Sequence, residues 1–96
     1  MVRQVELKER ILSLVETAPQ INKAAFYSDP YVEKLVVELH SRWEEAGHEG
    51  EPIDYATREE LEKLLELAEY YVRLPFWKAY KIVKERTEKG GASQSD

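Results

Sequence analysis

Cysteine is absent from this sequence, which excludes disulfide bonds and thiolate metal sites together. This absence fits a reducing compartment, and we expect a cytoplasmic protein. No apolar run approaches the roughly 20 residues that a membrane-spanning helix needs. The opening stretch, MVRQVELKER, is charged from the start, which is not the pattern of a signal peptide. We therefore expect no membrane partner.

Methionine and asparagine occur once each and glycine four times in 96 residues. The few glycines form no phosphate-binding loop, and no serine has a neighbouring base motif. Abundant Glu and Lys with so few thermolabile residues is typical of thermophilic proteins. Hydrophobic residues make up 43% and charged residues 34%, which is the composition of a folded domain.

The alternation of apolar and polar residues that marks a β-strand is never sustained, so the sequence predicts an all-α fold. We expect a small helical bundle of four main helices, with a short extra helix near residues 19–27. These helices would form one domain over residues 1–89, followed by a disordered tail over 90–96 that begins at two glycines.

The first two main helices have clear boundaries. Apolar residues at helical spacing predict a helix over 3–17 that ends before Pro19. A second helix is predicted over 30–46, with Ser28 or Asp29 as its N-cap.

The longest loop is predicted over 47–56, where Ile53 and Tyr55 should hold it against the core. The third main helix then opens with a capping box. Thr57 is its N-cap, and Glu60 lies three residues later, so its side chain can reach back to the Thr57 amide.

This third helix has a wider apolar arc than a helix on the rim of a bundle needs. Leu67, Tyr70 and Leu74 form a second stripe beside the main one. The helix is therefore either central in the bundle or partly in an intermolecular interface. The main stripe consists of Leu61, Leu64, Leu65, Ala68, Tyr71 and Val72.

Pro75 is the only helix breaker between Thr57 and Lys89. Proline removes a backbone donor and restricts the residue before it. The sequence allows two outcomes, a kinked continuous helix or a tight corner followed by a fourth helix that runs to about Lys89.

The fourth helix combines aromatic and basic residues. Its spacing predicts a core face, with Trp77 at the border and Ile82 on the polar side. The predicted core residues are Phe76, Ala79, Tyr80 and Val83.

The net charge of −5 is unevenly spread along the chain. Residues 1–72 hold 8 Lys and Arg against 16 Asp and Glu, whereas residues 73–96 hold 6 against 3. A basic segment with aromatic borders is typical of surfaces that bind nucleic acid. An overall pI near 5.1 argues against nucleic-acid binding, because dedicated nucleic-acid binders are usually basic. The candidate basic residues are Arg73, Lys78, Lys81, Lys84 and Lys89.

Three other patterns resemble functional sites only weakly. A helix-turn-helix over 10–46 would need a recognition helix rich in Arg, Lys, Asn or Gln, which 30–46 is not. His40, Glu44 and His48 have metal-ligand spacing, but Gly47 should end the helix before the last of them. The sequence thus predicts no cofactor, metal site, catalytic residue or small-molecule ligand. A further acidic row is interpreted as a solvated face; it consists of Glu59, Glu62, Glu66 and Glu69.

From these patterns we expect a non-enzymatic interaction module that self-associates or docks to a protein partner. The predicted partner-binding residues lie on the last two helices; they are Leu67, Tyr70, Leu74, Trp77 and Ile82. The alternative is nucleic-acid binding through the basic C-terminal helix over 73–89.

Overall fold

The computed structural model describes the backbone of residues 3–94 and the side chains of residues 3–88. It confirms the all-α prediction, since this part of the chain contains helices and no strand. Four main helices and one short helix near residues 19–27 are present as expected, and a short 3₁₀ helix lies in the long loop. The elements are α1 (Gln4–Thr17), α2 (Gln20–Tyr27), α3 (Pro30–Glu45), the 3₁₀ helix (Pro52–Tyr55), α4 (Arg58–Val72) and α5 (Phe76–Gln94).

The start of α3 is fixed by the side chain of Asp29. Its Oδ1 atom accepts hydrogen bonds from the backbone amides of Tyr31 at 2.9 Å and Val32 at 3.3 Å. These amides have no partner inside the helix, and such a cap stabilises a helix by about 1 kcal/mol. The structure thus selects Asp29 over Ser28 as the N-cap.

The end of α3 is a Schellman motif centred on Gly47, as the glycine predicted. Gly47 has φ = 85°, which an L side chain rarely adopts. Its amide donates to the carbonyl of Glu44 at 3.1 Å, and the amide of His48 donates to the carbonyl of Trp43 at 3.0 Å. The chain therefore turns away from α3 at this point and enters the loop.

The predicted capping box at the start of α4 is confirmed. The amide of Glu60 donates to Thr57 Oγ1 at 3.2 Å, and the amide of Thr57 donates to Glu60 Oε1 at 2.8 Å. The loop before it is held against the core by partly buried Ile53 and Tyr55, also as expected. The 3₁₀ turn within this loop was not predicted.

Helix α4 packs against both α1 and α2, and α2 in turn contacts α3, α4 and α5. Helix α5 packs mainly on α2, and α3 mainly on the 3₁₀ helix. The wide apolar arc of α4 is therefore used largely inside the molecule. The largest core residues are Leu7, Ile11, Val15, Phe26, Val32, Leu35, Leu39, Leu61, Leu64 and Tyr71.

Pro75 forms a tight corner between two helices and not a kink in one. Helix α4 ends at Val72, and the carbonyl of Pro75 accepts the first bonds of α5, from the amides of Lys78 at 3.0 Å and Ala79 at 3.1 Å. None of the described helices combines the length and the apolar character that crossing a bilayer requires.

The end of α5 differs from the expectation. The helix continues beyond Lys89 through both glycines to Gln94. Glycine costs a helix about 1 kcal/mol but blocks none of its hydrogen bonds, so two glycines need not end it. The predicted disordered tail over 90–96 stays a prediction, and its last two residues lie outside the described part of the chain.

Candidate interaction surface

The corner between α4 and α5 is held by Asn22, the one asparagine in the chain. Its side chain is 3% exposed, and its Nδ2 atom donates to the carbonyls of Tyr71 at 2.8 Å and Leu74 at 3.0 Å. The last carbonyls of a helix have no partner within it, so a buried amide from α2 satisfies them here. The sequence alone does not predict this role, because the partners are about fifty residues away along the chain.

Arg86 fixes the rotation of α5 about its own axis. Its Nη1 atom donates to the carbonyl of Ala25 at 3.1 Å and to Ser28 Oγ at 2.9 Å. Its Nη2 atom donates to the hydroxyl of Tyr71 at 3.0 Å, and that hydroxyl donates to Asp29 Oδ2 at 2.6 Å. Arg86 therefore joins α5 to the end of α2, to α4 and to the N-cap of α3.

Burial of the Tyr71 hydroxyl raises its pKa above the usual value for tyrosine, and the hydrogen bond to the Asp29 carboxylate acts in the same direction. The guanidinium of Arg86 lies 5.6 Å from the centroid of the same ring. The phenol thus stays protonated and keeps donating to Asp29 over the whole physiological range.

The inner face of α5 follows from this anchor. Ala79 is fully buried, and Ile82 and Val83 are half buried against the core. These positions and Arg86 are spaced i, i+3, i+4 and i+7, so they form one side of the helix.

The predicted core positions of Phe76 and Tyr80 are wrong, because this rotation turns both outward. Phe76 is 68% exposed and Tyr80 is 49% exposed. Trp77, which was expected at the border, is 61% exposed. Phe76, Trp77 and Tyr80 together are called the aromatic patch below.

The aromatic patch has internal order. The rings of Phe76 and Tyr80 are stacked, with centroids 6.1 Å apart and planes inclined by 12°. The ammonium of Lys78 lies 5.5 Å from the centroid of the Trp77 ring. Residues three and four apart on a helix are neighbours, so Lys81 and Lys84 also border the rings.

Most of the predicted nucleic-acid-binding residues are exposed. Arg73, Lys78, Lys81 and Lys84 are all exposed, and Lys84 pairs with Glu88 at 3.9 Å. Lys89 belongs to α5, but its side chain lies outside the described part of the chain.

The upstream residues predicted for partner binding divide into two groups. Leu67 and Leu74 are half buried and pack against the core. Ile82, further along the chain, does the same. Tyr70 is exposed on α4 and lies edge-on to Tyr71, with ring centroids 5.0 Å apart. Of the predicted partner-binding residues, Trp77 and Tyr70 are therefore the exposed ones. On the other helices, large apolar side chains are also exposed at Val5, Tyr27, Tyr31, Val36 and Val37.

A second apolar feature lies between α1 and α3, with further lining from α2, from α4 and from the 3₁₀ helix and the residue before it. It is a half-open cavity of about 250 Å³, called the α1/α3 groove below. No sequence pattern predicted it, since it arises from the spacing of helices. Its lining consists of Ile11, Leu12, Val15, Phe26, Tyr27, Val32, Val36, Leu39, His40, Glu51, Pro52, Ile53 and Leu64.

An ion pair joins the C-terminal turn of α3 to the first turn of α4. Arg42 Nη1 lies 2.7 Å from Glu60 Oε1, and Arg42 also donates to the carbonyl of Tyr55 at 3.0 Å. The hydrogen bond from Arg42 lowers the pKa of Glu60 from 4.5 to about 2. Glu60 therefore acts twice, as the reciprocal cap of α4 and as the partner of α3.

The histidines do not form a metal site with Glu44. His40 and His48 each pack edge-on against the ring of Trp43, with ring centroids 5.5 Å and 4.5 Å from it. Within residues 3–94, no group of three His, Cys, Asp or Glu side chains is placed to hold a metal ion.

Comparison with protein-family models, with curated proteins and with solved structures gave no match to this chain.

Proposed function

We propose that this chain is a non-enzymatic interaction module that self-associates through the aromatic patch of α5. The observation that carries the proposal is the outward position of Phe76, Trp77 and Tyr80 on a helix whose inner face is already complete. Single exposed apolar residues are ordinary on protein surfaces, but a contiguous group of large ones marks interaction sites.

The composition of the patch is that of a protein interface. Aromatic residues and Arg are enriched in interfaces, and Trp and Tyr dominate the residues that contribute most binding energy. The stacking of Phe76 on Tyr80 orders two of the rings before any partner arrives, which lowers the entropy lost on binding.

The proposal is tested by light scattering on the intact chain from micromolar to millimolar concentration. We expect a mass that rises above 11.2 kDa for the native sequence and stays at that value for Trp77→Ser. Val37→Ser is the matched control, because Val37 is 71% exposed on α3, away from the patch. A native chain that stays at 11.2 kDa throughout, or a control that reduces association equally, contradicts self-association.

Nucleic-acid binding is the second candidate, and the placement of Lys78 against the Trp77 ring favours it. An exposed aromatic ring beside cations can stack on a base while the cations contact phosphates. This candidate predicts binding of a single-stranded oligonucleotide that weakens steeply with salt and is reduced by Lys78→Glu combined with Lys81→Glu. No binding at about 50 mM salt would exclude it.

A further inference from the structure

We propose that the α1/α3 groove of one copy receives the aromatic patch of a second copy, with Trp77 seated in the groove. This inference rests on the self-association proposed above and names the surface that the patch meets. It explains two features at once, since the patch is an exposed apolar projection and the groove is an exposed apolar recess on the same chain.

Size supports Trp77 as the inserted side chain. The groove encloses about 250 Å³. A dry apolar cavity of about 150 Å³ holds one benzene molecule, so this recess has room for the two fused rings of one indole. Buried Ile11, Val32 and Leu64 form part of its lining, so an indole placed there would exchange its contact with water for contact with apolar side chains.

The walls of the groove carry acidic residues. Glu51 belongs to the lining itself. On α3, Glu33 lies one turn before Val36, and on α1 Glu9 and Glu16 lie one turn to either side of Leu12.

Other charges around the groove modify this acidity without reversing it. Glu44 lies one turn after His40 on α3 and adds to the acidic wall. Lys23 lies one turn before Tyr27, and Lys8 one turn before Leu12. Lys8 is paired with Asp54 at 2.6 Å and with Glu51 at 3.2 Å, so these charges compensate one another. The acidity of the walls therefore comes from Glu9, Glu16, Glu33 and Glu44, against the single cation of Lys23.

The aromatic patch has the opposite sign. Every charged residue within one turn of its rings on α5 is a cation, namely Lys78, Lys81 or Lys84, and Arg73 lies three positions before Phe76 in the corner. Two patches placed face to face would bring these cations together, which opposes a symmetric dimer. A patch placed against the groove brings cations to carboxylates, so charge complementarity favours the groove of the second copy.

A contact between two different surfaces of the same chain is head-to-tail, so a pair of copies still presents one free patch and one free groove. Further copies can then join as concentration rises, which builds either a closed ring or a longer open assembly. Blocking one surface in one variant and the other surface in a second variant should stop growth at the pair.

The experiment mixes two variants and measures mass by sedimentation velocity. Trp77→Ser removes the inserted ring but keeps the groove. Val36→Arg keeps the patch but places a cation on the groove wall, and Val37→Arg is its control, since Val37 is a neighbour on α3 that does not line the groove. If Val36→Arg lowers folded content by circular dichroism, His40→Arg modifies the same wall at an exposed residue.

Each variant alone should remain at 11.2 kDa, and the equimolar mixture should reach twice that mass and no more. Raising salt from about 0.1 M to about 1 M should weaken the pair about tenfold or more, because the charges are exposed. The control should assemble like the native chain.

Two results overturn the inference. If Val36→Arg and His40→Arg associate as the native chain does, the patch meets some other surface, and self-association through the patch survives. If the mixture of variants stays monomeric while the native chain assembles, the groove is not the acceptor. A native chain that is monomeric at every concentration contradicts the proposed self-association itself. That outcome is distinguishable from the two above, because in both of them the native chain assembles.

Discussion

Helices α4 and α5 are joined by a single corner at Pro75, yet they distribute their large side chains in opposite ways. Helix α4 buries Leu61, Leu64 and Tyr71 in the hydrophobic core. Helix α5 buries Ala79 completely and leaves its largest side chains exposed.

This difference shows that polar contacts decide the orientation of α5. Arg86 reaches three groups on α2 and α4, and a small Ala79 lets α5 lie close to α2. Burying the aromatic rings would turn Arg86 away from these partners and leave Asp29 and Tyr71 with fewer hydrogen bonds. The exposed rings are thus the consequence of a fixed inner face, and they are available for another role.

The largest expected effect separates the two helices directly. Leu61→Ala in α4 should lower the free energy of unfolding by about 2–5 kcal/mol, because it opens a cavity in the core. Trp77→Ala in α5 should change it by no more than about 0.5 kcal/mol in the monomer. Urea denaturation at low protein concentration measures both. Comparable losses for the two variants would mean that the patch is structural.

The next effect tests the anchor of α5. Arg86→Met should cost about 1–3 kcal/mol, since it removes the guanidinium hydrogen bonds to the carbonyl of Ala25, the hydroxyl of Ser28 and the hydroxyl of Tyr71. The loss should be concentrated in α5, with faster amide hydrogen exchange around Ala79 than in α4. Lys81→Met is the control on the exposed side. Uniform acceleration of exchange across both helices would argue against a separate anchor.

Acid should weaken the body of the molecule through Glu60. Its folded pKa of about 2 lies below the ordinary value of 4.5, so the stabilisation is complete above pH 4.5 and is lost as pH falls toward 2. We expect a loss of about 1–3 kcal/mol over this window, allowing for partial solvent screening. Glu60→Gln should flatten this dependence, whereas Glu66→Gln, on the exposed side of α4, should not. An unchanged pH profile in Glu60→Gln would contradict the assignment.

The sequence was sufficient for the parts of the fold that depend on neighbouring residues. The capping box of Thr57 and Glu60 and the turn at Gly47 each involve groups within a few positions of one another. The cap of α3 was narrowed in the same way to Ser28 or Asp29, and the structure selects Asp29. Helical periodicity likewise located the helices, but for α4 it left open whether the wide apolar arc is used inside the bundle or in an intermolecular interface.

The rotation of α5 could not be read in the same way. Its sequence offers two overlapping apolar arcs, and ranking residues by hydrophobicity selects the one with Phe76 and Tyr80. The arc that the structure uses is selected by Arg86 and its contacts, 15 to 61 positions away in the sequence. The α1/α3 groove was missed for a related reason, because it depends on how far apart two helices lie.

The most direct test of the central claim follows the indole N–H signal of Trp77 in ¹H–¹⁵N spectra of the intact chain, assigned by its loss in Trp77→Ser. As concentration rises from micromolar to millimolar, the signal should shift and broaden because the exposed ring enters an interface. A Trp77 signal that keeps its position and width over the whole range would contradict the claim that the aromatic patch is the docking surface.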